Sequence, residues 1–413
     1  MRHHSIIRAF LPLIAVSFVI TAPSLCANAQ DVGVDVGGGA GIFRPKNPES
    51  KKRATRTSPP SNRRTGNRTT TTATPNPAVA DQVEDLLDKG NQFRDARRFA
   101  ESEDSYQGVL KLKPRDSRAA YGLGNIYSDQ QRWDDAEAAY RNAVAWNSSD
   151  VDALIALSVV LVQPRAGAGN AKRFADAESF TRRAIQLQPN NAVAWDRLGV
   201  ALQSRGVYND ETEHAYRRAV ELDPQFAVAY AHLGRVLKRA GRKDEAAPFY
   251  DRAIELAKDP PTLNLIAESL QAEQQWENSE PVLKRVLDMD ARNPTALLLL
   301  GRMLVVYKRY QEAEPYLKTA TEMSPRAFQP FNLLGRTYLA LDRYEDAELT
   351  YERAAQFASA GDRKQLAGAF GFEGVGDGYL KAKKKPSAAR AYRRALELDP
   401  GNKELEQKLS KAT

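Results

Sequence analysis

Few residues in this chain are of a type and spacing that could do chemistry. Beyond His3 and His4 the only histidines are His214 and His232, and the single cysteine, Cys26, lies within the first 29 residues. No phosphate-binding Gly-rich loop ending in Lys-Ser or Lys-Thr occurs, and no serine-centred nucleophile motif. His214 and His232 fall in helical phrases, His232 directly before Leu233-Gly234, where a lone imidazole is ordinarily packed or solvated. Asp134-Asp135-Ala136-Glu137 reads as a helix capping box, Asp134 accepting amide hydrogen bonds and Glu137 reaching back, rather than as paired catalytic carboxylates. Gly371, Gly374, Gly376 and Gly378 superficially suggest a phosphate loop. They sit inside a helical register with no preceding strand, so they read as weak helix propensity and local flexibility. The residues therefore offer no catalytic group, metal site or cofactor site.

The elements that would position any function repeat. Trp195-x-x-Leu198-Gly199-x-x-Leu202 recurs as Tyr230-x-x-Leu233-Gly234-x-x-Leu237, Leu297-x-x-Leu300-Gly301-x-x-Leu304 and Phe331-x-x-Leu334-Gly335-x-x-Tyr338. Spacings of three and four place these residues on one stripe of a helix. A second helical phrase follows each, such as Ala136-x-x-x-Tyr140-x-x-Ala143 or Ala388-x-x-x-Tyr392-x-x-Ala395. It closes at stops such as Lys113-Pro114, Asp223-Pro224 and Asp399-Pro400, because proline cannot continue the helix. Repeats begin near Val83, Ser117, Val151, Ala192, Ala227, Pro260, Pro294, Phe328 and Ala369, nine in all. Two of them are lengthened, by a loop at 164–170 and by a stretch around 362–368 that either extends the first helix of the last repeat or forms a loop. Pro248, Pro281 and Pro315 occupy one place in three second helices; starts near Asp244, Glu277 and Gln311 would put them in the first turn, where a missing amide costs little.

This pattern resembles the tetratricopeptide repeat (TPR) family, matching Trp-x-x-Leu-Gly-x-x-Tyr, Ala-x-x-x-Phe and Pro. The resemblance implies an all-α fold, a right-handed α-solenoid of about nine helix-turn-helix repeats over residues 81–402, with 403–413 as a capping helix. Departures are Lys89 in the Leu slot of the first repeat, Ser158 and Ala267 for Gly, and Ser102, Thr212 and Ser279 for the contact Ala. Lys89 marks the first repeat as a partly solvated cap.

In TPR proteins the first helices line a concave groove and the residue after the Gly slot faces it. The resemblance thus implies a row of Asn91, Asn125, Val159, Val200, Arg235, Glu268, Arg302, Arg336 and Asp377, with Val162, Gln203 and Lys238 at the position after the Tyr slot. The expected peptide-groove residues are Asn91, Asn125, Arg235, Lys238, Arg239, Arg302 and Arg336. The arginines suit carboxylates of an extended peptide, since a guanidinium forks two hydrogen bonds to one carboxylate. The other reading is a solvated row in which Glu268 neutralises its neighbours. The family's carboxylate clamp wants Lys one turn before such an Asn, where this chain has Leu87 and Tyr121.

The net charge of +8 is unevenly placed: residues 31–80 carry nine Lys or Arg against three Asp or Glu, whereas 81–413 hold 49 of each. Residues 1–29 read as a signal peptide, with Arg2 and Arg8, an apolar run from Phe10 to Ile20, and Ala27-Asn28-Ala29 at the cleavage positions. Residues 30–80, rich in Gly and then in Pro, Thr and Arg, read as a disordered basic linker. These features lead to an exported, non-enzymatic protein-protein interaction scaffold of the bacterial periplasm or cell exterior, holding a protein or extended peptide in its groove. No nucleic acid partner and no transmembrane span in the mature chain are expected. Two alternatives are a tether whose basic leader binds anionic wall polymer or lipid, and a regulatory subunit of an envelope enzyme.

Overall fold

A computed structural model describes residues 45–50, 77–163, 165 and 169–413. The expected signal peptide lies outside the described residues, as do the linker apart from 45–50 and 77–80, and positions 164 and 166–168 of the expected loop.

Apart from residues 45–50 and the connecting turns, the described residues form helices, arranged as a right-handed solenoid of nine antiparallel pairs. The pairs are α1 (Pro77–Asp95) with α2 (Phe99–Leu112), α3 (Ser117–Asp129) with α4 (Trp133–Trp146), α5 (Val151–Leu161) with α6 (Asn170–Leu187), and α7 (Ala192–Ser204) with α8 (Asp210–Leu222). They continue with α9 (Ala227–Arg239) and α10 (Lys243–Leu256), α11 (Pro260–Ala272) and α12 (Trp276–Met289), α13 (Pro294–Val306) and α14 (Tyr310–Met323), and α15 (Phe328–Ala340) and α16 (Tyr344–Ala355). A short helix, α17 (Ala360–Ala367), precedes the last pair, α18 (Phe372–Lys381) and α19 (Lys385–Leu398), and α20 (Lys403–Ala412) follows it. Each second helix packs on its own partner and on the first helix of the next repeat, so burial propagates along the stack rather than converging on one core.

The Gly slot has a specific cause. A Cβ on Gly90, Gly124, Gly199, Gly335 or Gly376 would lie 2.5–2.7 Å from a ring carbon of Tyr106, Tyr140, Tyr216, Tyr351 or Tyr392, the tyrosine of the same repeat's second helix. The ring fills the space that the missing side chain leaves, and all five tyrosines are fully buried. Repeats without the glycine also lack the tyrosine: Ser158 goes with Thr181, and Ala267 with Leu283. Gly378 likewise faces the ring of Tyr344, and Gly371 and Gly374 lie against the carbonyls of Leu366 and Ala369. These last-repeat glycines are thus close-packing positions, which corrects the expectation of local flexibility.

Several other expectations are corrected. The first helix starts at Pro77, inside the expected linker, and residues 45–50 lie against the first two repeats. The stretch around 362–368 is neither a loop nor an extension of the next helix but the separate helix α17, capped by the Ser359–Asp362 box. Asp134 does not cap α4, whose N-cap is Arg132; it pairs with Arg165, while Glu137 binds Arg141, Arg165 and Arg173. Pro248, Pro281 and Pro315 lie in the second turn, because their helices begin at Lys243, Trp276 and Tyr310. All three prolines are partly or fully solvent-accessible, as are the residues four before, Asp244, Glu277 and Gln311, whose carbonyls lose an amide partner and can be hydrated instead. On the outer side, Arg242–Glu213, Arg309–Glu280 and Arg343–Glu314 pairs at 2.7–2.8 Å join successive second helices.

Candidate peptide-binding groove

The asparagines after the Gly slot are set by the buried tyrosines. Burial pushes the hydroxyls of Tyr106 and Tyr140 up, so they stay protonated and donate. Tyr106 donates to Asn91 Oδ1 at 2.7 Å, and Tyr140 to Asn125 Oδ1 at 2.8 Å. With its oxygen so engaged, each amide turns Nδ2 toward residues 46–48. There Asn91 donates to the carbonyl of Pro48 at 2.9 Å and Asn125 to that of Lys46 at 3.0 Å. The structure therefore brings Asn91 and Asn125 together on one extended stretch of main chain.

Sequence reasoning missed Arg94, at the same position after the Tyr slot as Gln203 and Lys238. Arg94 is 1% exposed; its Nε and Nη2 fork onto Asp129 at 2.7 and 3.2 Å, and Nη1 donates to the Pro45 carbonyl at 2.8 Å and Asn47 Oδ1 at 3.0 Å. The position in the repeat was the available signal. Nothing in the sequence said that the leader would lie there.

Further along, the cations do not form one shared patch. Arg235 donates to Gln203 Oε1 at 2.6 Å, the oxygen that also accepts from Tyr216 at 3.0 Å. Arg302 makes the equivalent contact two repeats on, donating twice to Gln271 Oε1 at 2.7 and 3.2 Å. Burial holds Arg302 below its ordinary value against the opposing charge of Glu268. Lys238 Nζ donates to the Glu273 carbonyl at 2.7 Å. Arg239 lies 3.9 Å over the Tyr208 ring and Arg336 4.9 Å over that of Phe370. At the far end Asp377 accepts from Tyr392 at 2.5 Å and from Lys408 of the capping helix at 2.8 Å. The chain's own segments thus occupy both ends of the row.

The family model described as tetratricopeptide repeat matches residues 87–153, 124–192, 209–261, 264–318 and 308–363, together more than half of the chain. The chain belongs to the tetratricopeptide repeat family. Cellulose synthase operon protein C of Xanthomonas axonopodis pv. citri (strain 306) is 32% identical over 192 residues, 46% of this chain; the match spans only 12% of that relative. Among solved structures, TTC0263, a thermophilic TPR protein of Thermus thermophilus, is 22% identical with a TM-score of 0.39, covering 46% of this chain and 99% of that one. YrrB, a TPR protein with an unusual peptide-binding site, is 21% identical with a TM-score of 0.37, covering 48% and 98%.

His232 is a structural residue of this TPR array. It is 2% exposed, with Nδ1 2.8 Å from Oδ1 of the fully buried Asp196, which Arg197 also pairs at 3.1 Å. Burial pushes the imidazole below its ordinary 6.5, against the pull of Asp196 and with Arg235 and Arg197 adding to the lowering. Burial would raise the Asp196 carboxyl, but His232 and Arg197 outweigh it and hold it below 3.8. The unfolded chain therefore takes up a proton near pH 6.5 that the folded one refuses, and stability falls as pH drops below that value. Asp196 adds a second loss at lower pH, as it protonates below 3.8. We expect urea midpoints to decline from pH 7 to 5, and to decline less in His232→Asn, which keeps a donor for Asp196 without titrating. Parallel declines would remove His232 as the cause.

Proposed function

We propose that this TPR protein is a non-enzymatic scaffold of the cell envelope that holds a protein or extended peptide in the groove lined by its first helices. The observation that carries the reading is that Asn91 and Asn125 donate to main-chain carbonyls of an extended segment. Donors aimed at a main chain suit a peptide ligand, because its carbonyls recur whatever its side chains are. The arginines of the later repeats add preference for acidic side chains: Arg235 is held by the neutral side chain of Gln203, which orients the guanidinium without cancelling its charge. The envelope location is supported by the pattern of residues 1–29.

Charge reversal at Arg336, combined with Arg302→Gln, tests the reading. Crosslinked capture from envelope extract should lose at least tenfold of the protein retained by the unaltered chain, with helicity by circular dichroism retained at the capture temperature. Capture that persists in this variant but disappears when Lys51, Lys52, Arg53, Arg63 and Arg64 are neutralised favours the tether instead.

A further inference from the structure

The groove of the first two repeats is filled by the protein itself. Four carbonyls of residues 45–49 are taken by donors: Pro45 by Arg94 at 2.8 Å, Lys46 by Asn125 at 3.0 Å, Pro48 by Asn91 at 2.9 Å, and Glu49 by Arg118 at 3.4 Å. Pro45 and Pro48 are buried, while Lys46 and Glu49 are exposed. That three-residue alternation is the period of a polyproline II strand. Proline also fits because it brings no N–H, so a groove that offers the main chain only donors leaves no buried amide orphaned. One side chain of the segment is read as well: Asn47 accepts from Arg94 at 3.0 Å and donates to Asp95 at 2.9 Å. The side chains of Lys46 and Glu49 take no part in these contacts.

Building on the groove reading above, we propose that helices α1 and α3 form a site for an extended Pro-x-Asn-Pro segment. Residues 45–48 of the same chain are its resident occupant, so an outside partner of that chemistry must displace them. The residues that grip the segment are prearranged. Tyr106 and Tyr140 fix both asparagine amides, Asp129 fixes Arg94, and Glu84 holds Arg118 through two bonds of 2.9 and 3.0 Å. Little ordering remains to be done when a peptide binds. An occupant on the same chain competes at an effective concentration on the order of millimolar. If the isolated peptide binds at about 100 μM, the leader therefore weakens an outside peptide roughly tenfold.

The test uses the full chain and a fluorescein-labelled synthetic peptide of residues 43–50, followed by fluorescence anisotropy. The comparison is with a full chain carrying Pro45→Gly, Asn47→Ala and Pro48→Gly, changes outside the repeats. The peptide should bind this leader variant about tenfold more tightly than the unaltered chain. A peptide bearing the same three substitutions should bind neither, a control that no misfolding can imitate. Equal affinity for the two chains overturns the resident occupant; no binding to the leader variant, or equal binding of the substituted peptide, overturns the site. Sedimentation adds one further outcome: if the unaltered chain dimerises and the leader variant does not, the occupant is the leader of a second copy and the intramolecular form is overturned. If the peptide fails while capture through Arg302 and Arg336 persists, this proposal falls and the scaffold function stands.

Discussion

Replacing Arg94 with alanine in the full chain is expected to lower its stability by about 3 kcal/mol, the lower end of the range for breaking a buried ion pair. The guanidinium is 1% exposed and its partner Asp129 only 16%, so water can do little to replace the lost charge. The same change leaves the Pro45 carbonyl and Asn47 Oδ1 without the donor they share. Arg94→Lys should recover only a minor part. An ammonium is a single point of charge and cannot fork to Asp129 while also reaching the leader. Urea unfolding followed by circular dichroism reads the stability, and the rate of tryptic cleavage after Lys46 reads the release of the leader. Cleavage should be faster in both variants, because the Lys46 carbonyl lies in the clamped stretch. A lysine variant as stable and as resistant as the original would show that the fork is not what matters.

Gly335→Ala should destabilise by about 1–3 kcal/mol, although alanine in an exposed helix is better than glycine by about 1 kcal/mol. The sign reverses because the new Cβ would stand 2.5 Å from Cε1 of the buried Tyr351, well inside carbon contact distance. The ring is fully buried and its hydroxyl is held by the Phe370 carbonyl, so relief of the contact requires α15 and α16 to separate. The sixth repeat supplies the remedy, carrying Ala267 with Leu283 in the same two slots. Gly335→Ala with Tyr351→Leu is therefore expected to lose less than the two single changes together. The loss of the Tyr351 hydrogen bond to the Phe370 carbonyl should keep it below the original. Denaturant midpoints of the four proteins give the coupling; additivity to within about 0.5 kcal/mol would mean that the glycine and the tyrosine do not constrain each other.

The two expectations draw on different kinds of information. The Gly and Tyr slots recur along the chain, so their alternation is legible in the order of residues alone, and the period located the helix pairs. What the period did not disclose was that the two slots are one contact, because the residues come from different helices. Arg94 stands at a recurring position too, yet its importance comes from Asp129 in the next repeat and Pro45 in the leader, which no local spacing connects. The capping expectation at Asp134 failed because α4 begins one residue before it, at Trp133, and the carboxylate pairs instead with Arg165 of the next repeat. At Arg235 and Arg302 the positions were legible, but the glutamines that hold them, Gln203 and Gln271, became partners only when successive repeats stacked.

By itself, the sequence determined the helix pairs, their number and their slots, since these depend on apolar periodicity and on residues that stop helices, both local properties. Through the family resemblance it also implied a row of positions along the first helices as groove residues. Only the tertiary structure decided that residues 45–50 occupy the first part of that row and that Lys408 closes the last. Those contacts join residues far apart in the chain, and they form because buried donors and carboxylates have to be satisfied wherever the fold happens to bring them.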